Sequence, residues 1–254
     1  MSSQPAGRFQ GKRIAITGGN SGIGRATAEY LAREGARVAV LGRDAGTLDE
    51  TASALGDRGL TFQGDVTNAS DVDSFFSKIE QEFGGLDGVF VNAGLAKPTP
   101  FDDAPAEAFD LHFDVNVKGA FFTAQRASKS LADGGSIVFT GSAVDERGMP
   151  GFSVYAATKA AVRSLARSLT EELAPRGIRV NVVAPGPIET PIFGRMGLPE
   201  QQVEEFGEQI LDGLPAGRFG QPDEIAAGVA FLLSEDSKYM RGSRLAIDGG
   251  FAQV

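Results

Sequence analysis

The chain has 254 residues, 42% of them hydrophobic and 22% charged, with a formal net charge of −9. That balance supplies enough apolar material for a sizeable core, while the acidic excess argues against nucleic acid and against anionic membrane surfaces as partners. The absence of cysteine excludes disulfides, thiolate metal sites and cysteine nucleophiles, and the single histidine, His112, excludes a multi-histidine metal centre. The stretch from Met1 to Gly11 lacks the apolar core of a signal peptide, and no uncharged apolar run reaches the ~18 residues of a membrane span. A cytoplasmic enzyme or binding protein without metal is the expectation.

Arg13 to Thr17 reads as a short buried strand. The turn Gly18-Gly19-Asn20-Ser21-Gly22-Ile23-Gly24 follows, then a helix to about Glu34 closed by Gly35, and a second strand from Arg37 to Leu41. This is a βαβ unit with a glycine loop at a helix N-terminus, where backbone N–H groups and the helix dipole bind phosphate. Asp44 is a candidate N-cap for a helix over 45–55. A third strand over 60–64 ends at Asp65, and Ser70 is expected to cap a helix reaching Phe83. Val89 to Val91 forms a fourth strand ending at Asn92-Ala93-Gly94, and Pro105 suits the first turn of one long helix running to about Leu131. The fifth strand, 136–140, leads to Ser142. The next helix runs from Tyr155 to Ala174 and stops at Pro175-Arg176-Gly177. Arg179 to Ala184 is the sixth strand, Gln221-Pro222-Asp223 opens a helix to about Leu233, and Leu245 to Ile247 is a last short strand.

Such strand–helix alternation with apolar strands implies a single-domain α/β Rossmann fold over residues 1–254, with a doubly wound, parallel, seven-stranded sheet and helices on both faces. An irregular insertion at about 186–220 interrupts the pattern. It carries Ile192, Phe193, Met196, Leu198, Val203, Phe206, Ile210, Leu211 and Leu214, and the spacing of Val203, Phe206 and Ile210 predicts a short amphipathic helix, a candidate lid. Ligands of open α/β sheets bind beyond the carboxyl ends of the strands, and the glycine turn, Asp65, Asn92, Ser142 and Pro185-Gly186 all fall there.

The glycine turn, Thr-Gly-x-x-x-Gly-x-Gly in the first βα position, favours a dinucleotide, although a turn that merely needs glycines would look alike. Gly24-Arg25-Ala26 stands where a phosphate-loop NTPase requires Gly-Lys-Ser/Thr. The second strand ends Leu41-Gly42-Arg43, with no acid before Asp44 to accept a ribose 2′-OH. Gly42 leaves room and Arg43 can offer a planar donor fork to a phosphate, which favours NADP(H) over NAD(H); Arg43 as a solvated loop cation is the alternative. Tyr155 and Lys159, four apart on a helix, share one face. A cation there lowers a phenol from about 10 toward working pH. A phenol so tuned can give a proton to a carbonyl or take one from an alcohol, though the spacing alone also describes a surface pair.

Taken together, Thr17-Gly18…Gly22…Gly24, Asn92-Ala93-Gly94, Asn116, Ser142, Tyr155…Lys159 and Pro185-Gly186 resemble the compact short-chain dehydrogenase/reductase family. Gly217-Arg218…Gly220…Pro222…Glu224-Ile225-Ala226 and Asp248-Gly249-Gly250 are similar too, and Ser142 precedes Tyr155 by 13 positions, the family's usual spacing. The resemblance implies Tyr155 as general acid in reduction and base in oxidation, with Lys159 tuning it and hydrogen-bonding the nicotinamide ribose. Ser142 would hydrogen-bond the substrate oxygen, and Asn116 would hold a water in a proton relay through Lys159. Around the cofactor it implies the turn residues Gly18, Asn20, Ser21, Gly22 and Ile23, then Arg43, with Asp65 and Val66 near the adenine. Asn92, Ala93 and Gly94 would line the adenosine side, and Ile188 and Thr190, after Pro185-Gly186-Pro187, would hold the carboxamide. It also implies a homotetramer in which the helices of Asn116 and Tyr155 pair with a second subunit, an approach that the small residues Ala156, Ala157, Ala160, Ala161, Ser164 and Ser168 permit. His112 is assigned no chemistry.

Leu95, Val144, Met149 and Phe152 add apolar surface near these residues, which fits large hydrophobic ketones and secondary alcohols better than sugars, unless such residues simply seal the domain. The chain is similar to bacterial NADP-dependent alcohol dehydrogenases of the family. Sugar, steroid and 3-oxoacyl reductases share the motifs, whereas the family's enoyl reductases space tyrosine and lysine differently. A nucleotide-binding regulator without turnover is the reading from another class, and the intact Ser142, Tyr155 and Lys159 set weighs against it.

Overall fold

Uninterrupted apolar runs such as Ile14-Ala15-Ile16, Val38 to Leu41 and Val180 to Ala184 form strands buried on both faces. The computed structural model describes residues 7–191, 194, 196 and 199–254. Its strands are β1 Arg13–Thr17, β2 Arg37–Gly42, β3 Gly59–Gln63, β4 Leu86–Val91, β5 Leu131–Thr140, β6 Arg179–Pro185 and β7 Arg244–Ile247. They form one seven-stranded sheet in the order β3-β2-β1-β4-β5-β6-β7, every neighbouring pair parallel. The helices are α1 Gly22–Arg33, α2 Ala45–Leu55, α3 Ala69–Phe83, α4 Ala106–Phe113, α5 Ala120–Ser130, α6 Ser153–Leu173, α7 Glu200–Asp212 and α8 Pro222–Leu233.

Side chains alternate across the sheet and build a core on each face. Val89, Val91, Ile137 and Phe139 pack with Phe75, Phe76 and Ile79 of α3, Ala124 and Ala127 of α5, and Val162 and Ala166 of α6. Phe90 and Val138, one position out of step, join the opposite core with Ala28 and Leu31 of α1, Leu48 and Leu55 of α2, and Ile225 and Val229 of α8. Each fully buried phenylalanine of this kind contributes about 1.5–3 kcal/mol, so truncating Phe90 would leave a cavity in the core to which it belongs. Strand order runs outward from β1 in one direction and from β4 in the other, which opens a crevice at their carboxyl ends.

Several boundaries differ from the sequence expectation. Asn68, not Ser70, caps α3, because its Oδ1 accepts from Ser70 N at 3.0 Å and from Ser70 Oγ at 2.8 Å. The strand expected from Val89 starts at Leu86, and α6 starts at Ser153, ahead of Tyr155. The expected continuous helix from Pro105 to Leu131 is two helices, α4 and α5, joined by a π-helical turn over Asp114–Gly119. That turn carries Asn116 inward, where it is 1% exposed. The amphipathic helix predicted in the insertion is α7. Of the apolar residues named there, Ile192, Phe193 and Leu198 lie outside the described residues. Ala157, Ala160, Ser164 and Ser168 form an exposed small-residue stripe on α6, and Phe109, Leu111 and Phe122 are exposed on α4 and α5.

Candidate active site

The crevice is assembled first from backbone. Gly24 packs under the turn so tightly that a Cβ there would lie 2.2 Å from the Gly18 carbonyl oxygen, which only glycine avoids. No acidic side chain sits in the first turn of α1, so the positive end of its dipole faces the crevice uncompensated. Asn92 fastens the floor. Its Nδ2 donates to the carbonyls of Thr17 and Gly18, each at 3.1 Å, and its Oδ1 accepts from Thr140 Oγ1 at 3.1 Å. Thr17 Oγ1 accepts in turn from the N–H groups of Asn92 and Ala93 at 3.1 and 3.2 Å. These bonds tie β1, β4 and β5 together at the point where the strand order reverses.

At the end of β2, a Cβ on Gly42 would meet Asn20 Oδ1 at 2.3 Å. Asn20 is itself held by donating Nδ2 to Thr47 Oγ1 at 2.7 Å, and Asp44 caps α2 by accepting from Thr47 N at 2.8 Å. Arg43 reaches outward, its side chain 72% exposed and its guanidinium 3.6 Å from the Asp65 carboxylate. Burial pushes the Asp65 carboxyl up, but hydrogen bonds from Thr67 N and Thr67 Oγ1, at 2.9 and 2.8 Å, together with Arg43 hold it below its ordinary value.

Beyond β5, Ser142 opens a short turn and its Oγ accepts from Val144 N at 3.4 Å. Opposite it, α6 presents Tyr155 and Lys159 on one face. Lys159 is buried, its Nζ donating to Thr140 O at 2.9 Å and standing 5.6 Å from the centre of the Tyr155 ring. Burial pushes the Tyr155 phenol up to about 12, against a hydrogen bond with Ser142 that lowers it and with the Asp145 charge that adds to the rise. Burial also brings Lys159 down to about 8, with Asp145 opposing. The sequence expectation of a phenol lowered toward working pH therefore does not describe this site, because loss of water around the phenolate outweighs the hydrogen bond with Ser142. Asn116 Oδ1 accepts from Leu95 N at 2.9 Å, while its Nδ2 donates to Leu95 O at 2.9 Å and to Thr158 Oγ1 at 3.1 Å. It borders Gly94, as does Lys159: a Cβ on Gly94 would lie 3.3 Å from Asn116 Oδ1 and 3.5 Å from Lys159 Nζ.

One cavity of about 670 Å3 joins these parts. Its wall includes Gly18, Asn20, Ser21, Gly22, Ile23, Arg43, Asp65, Val66, Asn92, Ala93, Gly94, Pro185, Gly186, Ile188 and Thr190, together with Ser142, Tyr155 and Lys159. Asn116 stands behind the wall and acts on Leu95, which is part of it. The far end is apolar. Phe152 stacks on Phe206 of α7 with ring centres 5.7 Å apart and meets Tyr155 edge-on at 6.1 Å, and Met149, Met196, Ile210 and Phe251 complete that end. Among the described residues no cluster of three or more His, Cys, Asp or Glu could hold a metal ion, and no helix is long and apolar enough to cross a membrane.

A family model described as enoyl-(acyl carrier protein) reductase matches residues 18–252. Oxidoreductase asL5 of Sarocladium schorii is 43% identical over 97% of this chain and 98% of its own length. The solved structure of a short-chain dehydrogenase/reductase from Serratia marcescens superposes with a TM-score of 0.89 at 34% identity, covering 96% of this chain and 99% of that one. The chain belongs to the short-chain dehydrogenase/reductase family. This family member is an oxidoreductase, and its relatives include ketone-reducing enzymes: levodione reductase of Leifsonia aquatica is 35% identical over 98% of this chain and 97% of its own length.

Several contributors to this dehydrogenase/reductase site were not visible in the sequence. Thr140 works through its backbone carbonyl, and a main-chain group has no residue type to reveal it. Phe251 arrives from the C-terminal segment, with Arg147 donating to its carbonyl and lying 4.3 Å over its ring. His112 is buried and structural: its Nδ1 bonds Ala108 O at 2.7 Å and its Nε2 accepts from Lys97 N at 3.2 Å, which steadies the loop at the cavity mouth. Asp145 carries no motif, yet its charge acts on both Tyr155 and Lys159.

Proposed function

We propose that this protein is an NADP(H)-dependent enzyme that interconverts a ketone and a secondary alcohol, acts on bulky hydrophobic substrates, and uses Tyr155 as its acid and base. The observation that carries this reading is one cavity lined at once by Ser142, Tyr155 and Lys159, by the glycine turn and Arg43, and by the apolar Phe152, Met196 and Phe206. The residues present fit a dinucleotide. The glycine-packed turn and the open α1 N-terminus suit a pyrophosphate, and a side chain at position 24 would occupy the turn itself. Arg43, with no acid before Asp44, supports a 2′-phosphate, and Asp65 at 3.6 Å is the carboxylate with which that phosphate would compete.

When bound, the nicotinamide supplies or accepts the hydride. The chain's own task is one proton. With its phenol pushed up to about 12, Tyr155 rests as a protonated donor, ready to give its proton to a carbonyl oxygen as the alcohol forms. Ser142 provides a second hydroxyl for the same oxygen, and Lys159 brings the positive charge that a phenolate needs in the oxidative direction. Phe152, Met196 and Phe206 keep the reacting oxygen out of bulk water. We also infer a cytoplasmic homotetramer, supported by the exposed Phe109, Leu111 and Phe122 and by the small-residue stripe of α6. Light scattering on the purified chain tests it, and a monomer would overturn it.

The deciding experiment assays a panel of bulky ketones, aldehydes and sugars with NADPH and with NADH. Ketone reduction with kcat/KM about tenfold higher for NADPH is expected from one charge-assisted contact at Arg43. A preference for sugars, or no turnover with any carbonyl compound, would overturn the reading.

A further inference from the structure

The short turn that carries Ser142 is tied down by charged side chains from two other elements. It runs over Ala143–Asp145 and continues into Glu146. Arg244, the first residue of β7, approaches it from the side. Its Nε donates to Asp145 Oδ1 at 3.1 Å and one terminal nitrogen lies 2.9 Å from the same oxygen. That terminal nitrogen also donates to the Ser142 carbonyl at 3.4 Å, and the other pairs with Glu146 at 3.0 Å. One guanidinium therefore grips the turn at its first residue and at both acids that end it. The Asp145 side chain is 0% exposed and that of Arg244 8% exposed. Arg163, on α6 four residues beyond Lys159, pairs with Glu146 at 2.7 Å and lies 4.0 Å from Asp145. The turn is thus fastened to β7 and to the helix that carries Tyr155 and Lys159.

A buried ion pair is weak ground for stability, since a well-packed apolar pair of the same volume often serves as well. Its place matters more. We propose that Arg244 and Asp145 are positioning residues: the pair fixes Ser142 opposite Tyr155, and the buried Asp145 charge biases the proton exchanged there. This inference rests on the reading of Tyr155 as the acid and base. The charged and titratable groups around Asp145 are Glu146 on its own turn, Tyr155, Lys159 and Arg163 on α6, and Arg244 on β7. Toward the reactive pair the sign is fixed: a negative charge disfavours phenolate at Tyr155 and favours ammonium at Lys159, so Asp145 holds the proton on both.

The test compares Asp145→Asn, Arg244→Gln and the double variant with wild type in three measurements. NADPH affinity, read by fluorescence, should change less than about twofold in each, while Arg244→Gln lowers kcat for ketone reduction roughly 10-fold to 100-fold through the misplaced serine. In Asp145→Asn the alkaline fall of the reductive kcat/KM should move at least about half a pH unit lower. The third measurement needs no turnover: ultraviolet absorbance, taken as the difference from the same background carrying Tyr155→Phe, should show the Tyr155 phenol ionising at lower pH in Asp145→Asn. Should the unpaired Arg244 prevent folding of that variant, the double variant removes both charges and is titrated in its place, with the same direction expected. Superimposable phenol titrations, or equal loss of kcat and NADPH affinity, would overturn the inference. A shifted phenol titration in a protein that reduces no carbonyl compound would leave the inference standing and count against the proposed activity alone.

Discussion

At the Arg43 end of the cavity the walls come from the carboxyl ends of the strands: the turn from Gly18 to Ile23, the segment Asn92 to Gly94, and Pro185-Gly186. At the Phe206 end they are side chains brought by α7, by the segment after Ser142 and by Phe251, beyond β7. The first end tolerates almost no change, because a Cβ at Gly24 would run into a main-chain carbonyl that has nowhere to go. The second end is a contact surface of flexible methionines and stacked rings, in which one residue can be exchanged for another of similar volume at small cost. One end is thus built to hold a fixed molecule and the other to be altered.

Variants can probe that contrast, and the largest effect is expected where the two ends meet. Tyr155→Phe should lower ketone reduction about 10³-fold while NADPH binds nearly as before, as steady-state rates and fluorescence titration will show. Substantial residual turnover would remove Tyr155 from its assigned role. Gly24→Ala should weaken both cofactors about 100-fold or more by calorimetry, since the added carbon displaces the turn that would receive a phosphate. Arg43→Ala should raise KM for NADPH about tenfold and leave KM for NADH nearly unchanged; equal effects would show that Arg43 does not read a 2′-phosphate.

The alkaline side offers a smaller and more graded test. Lys159, brought from 10.5 to about 8, loses its proton as pH rises through 8, so reductive kcat/KM should be flat below that point and fall about tenfold per unit above it. The sign for stability is opposite. Between about 8 and 10 the unfolded chain still holds the lysine proton that the folded chain has released, so urea midpoints should rise with pH there, before Tyr155, raised above 10, reverses the trend. The mildest variant is Phe206→Ala, expected to raise KM for a bulky ketone about threefold to tenfold and to leave NADPH binding alone.

The fold was legible because apolar strands and glycine turns are local signals: the runs at Val38 to Leu41 and Val180 to Ala184 have no other comfortable place than a covered parallel sheet. Asn68 and Ser70 are equal candidates for the cap in the sequence, because Asn, Ser and Thr all suit that position, and only the paired bonds to Ser70 decide between them. The break between α4 and α5 is not legible in the sequence, because the π turn holds no proline and its one glycine, Gly119, stands at its last position. The rise of the Tyr155 phenol is hidden in the sequence for a different reason. Spacing places a cation near a tyrosine, but burial is a property of the whole cavity, and it reverses the local expectation. Asp145 and Arg244 lie 99 positions apart, so neither residue announces the other.

The wide turn at Asp114–Gly119 has a further consequence, in the rotational phase of the chain. A π turn takes up about one residue more than a regular turn, and each residue of an α-helix turns the chain by about 100°. The turn that makes room for Asn116 thereby sets which side of α5 looks outward relative to α4. Deleting a residue there would restore a regular helix and turn the exposed Phe122 by about 100° relative to the exposed Phe109. The inner wall of the cavity and the outer surface of the molecule are in this way geared to a single turn of backbone.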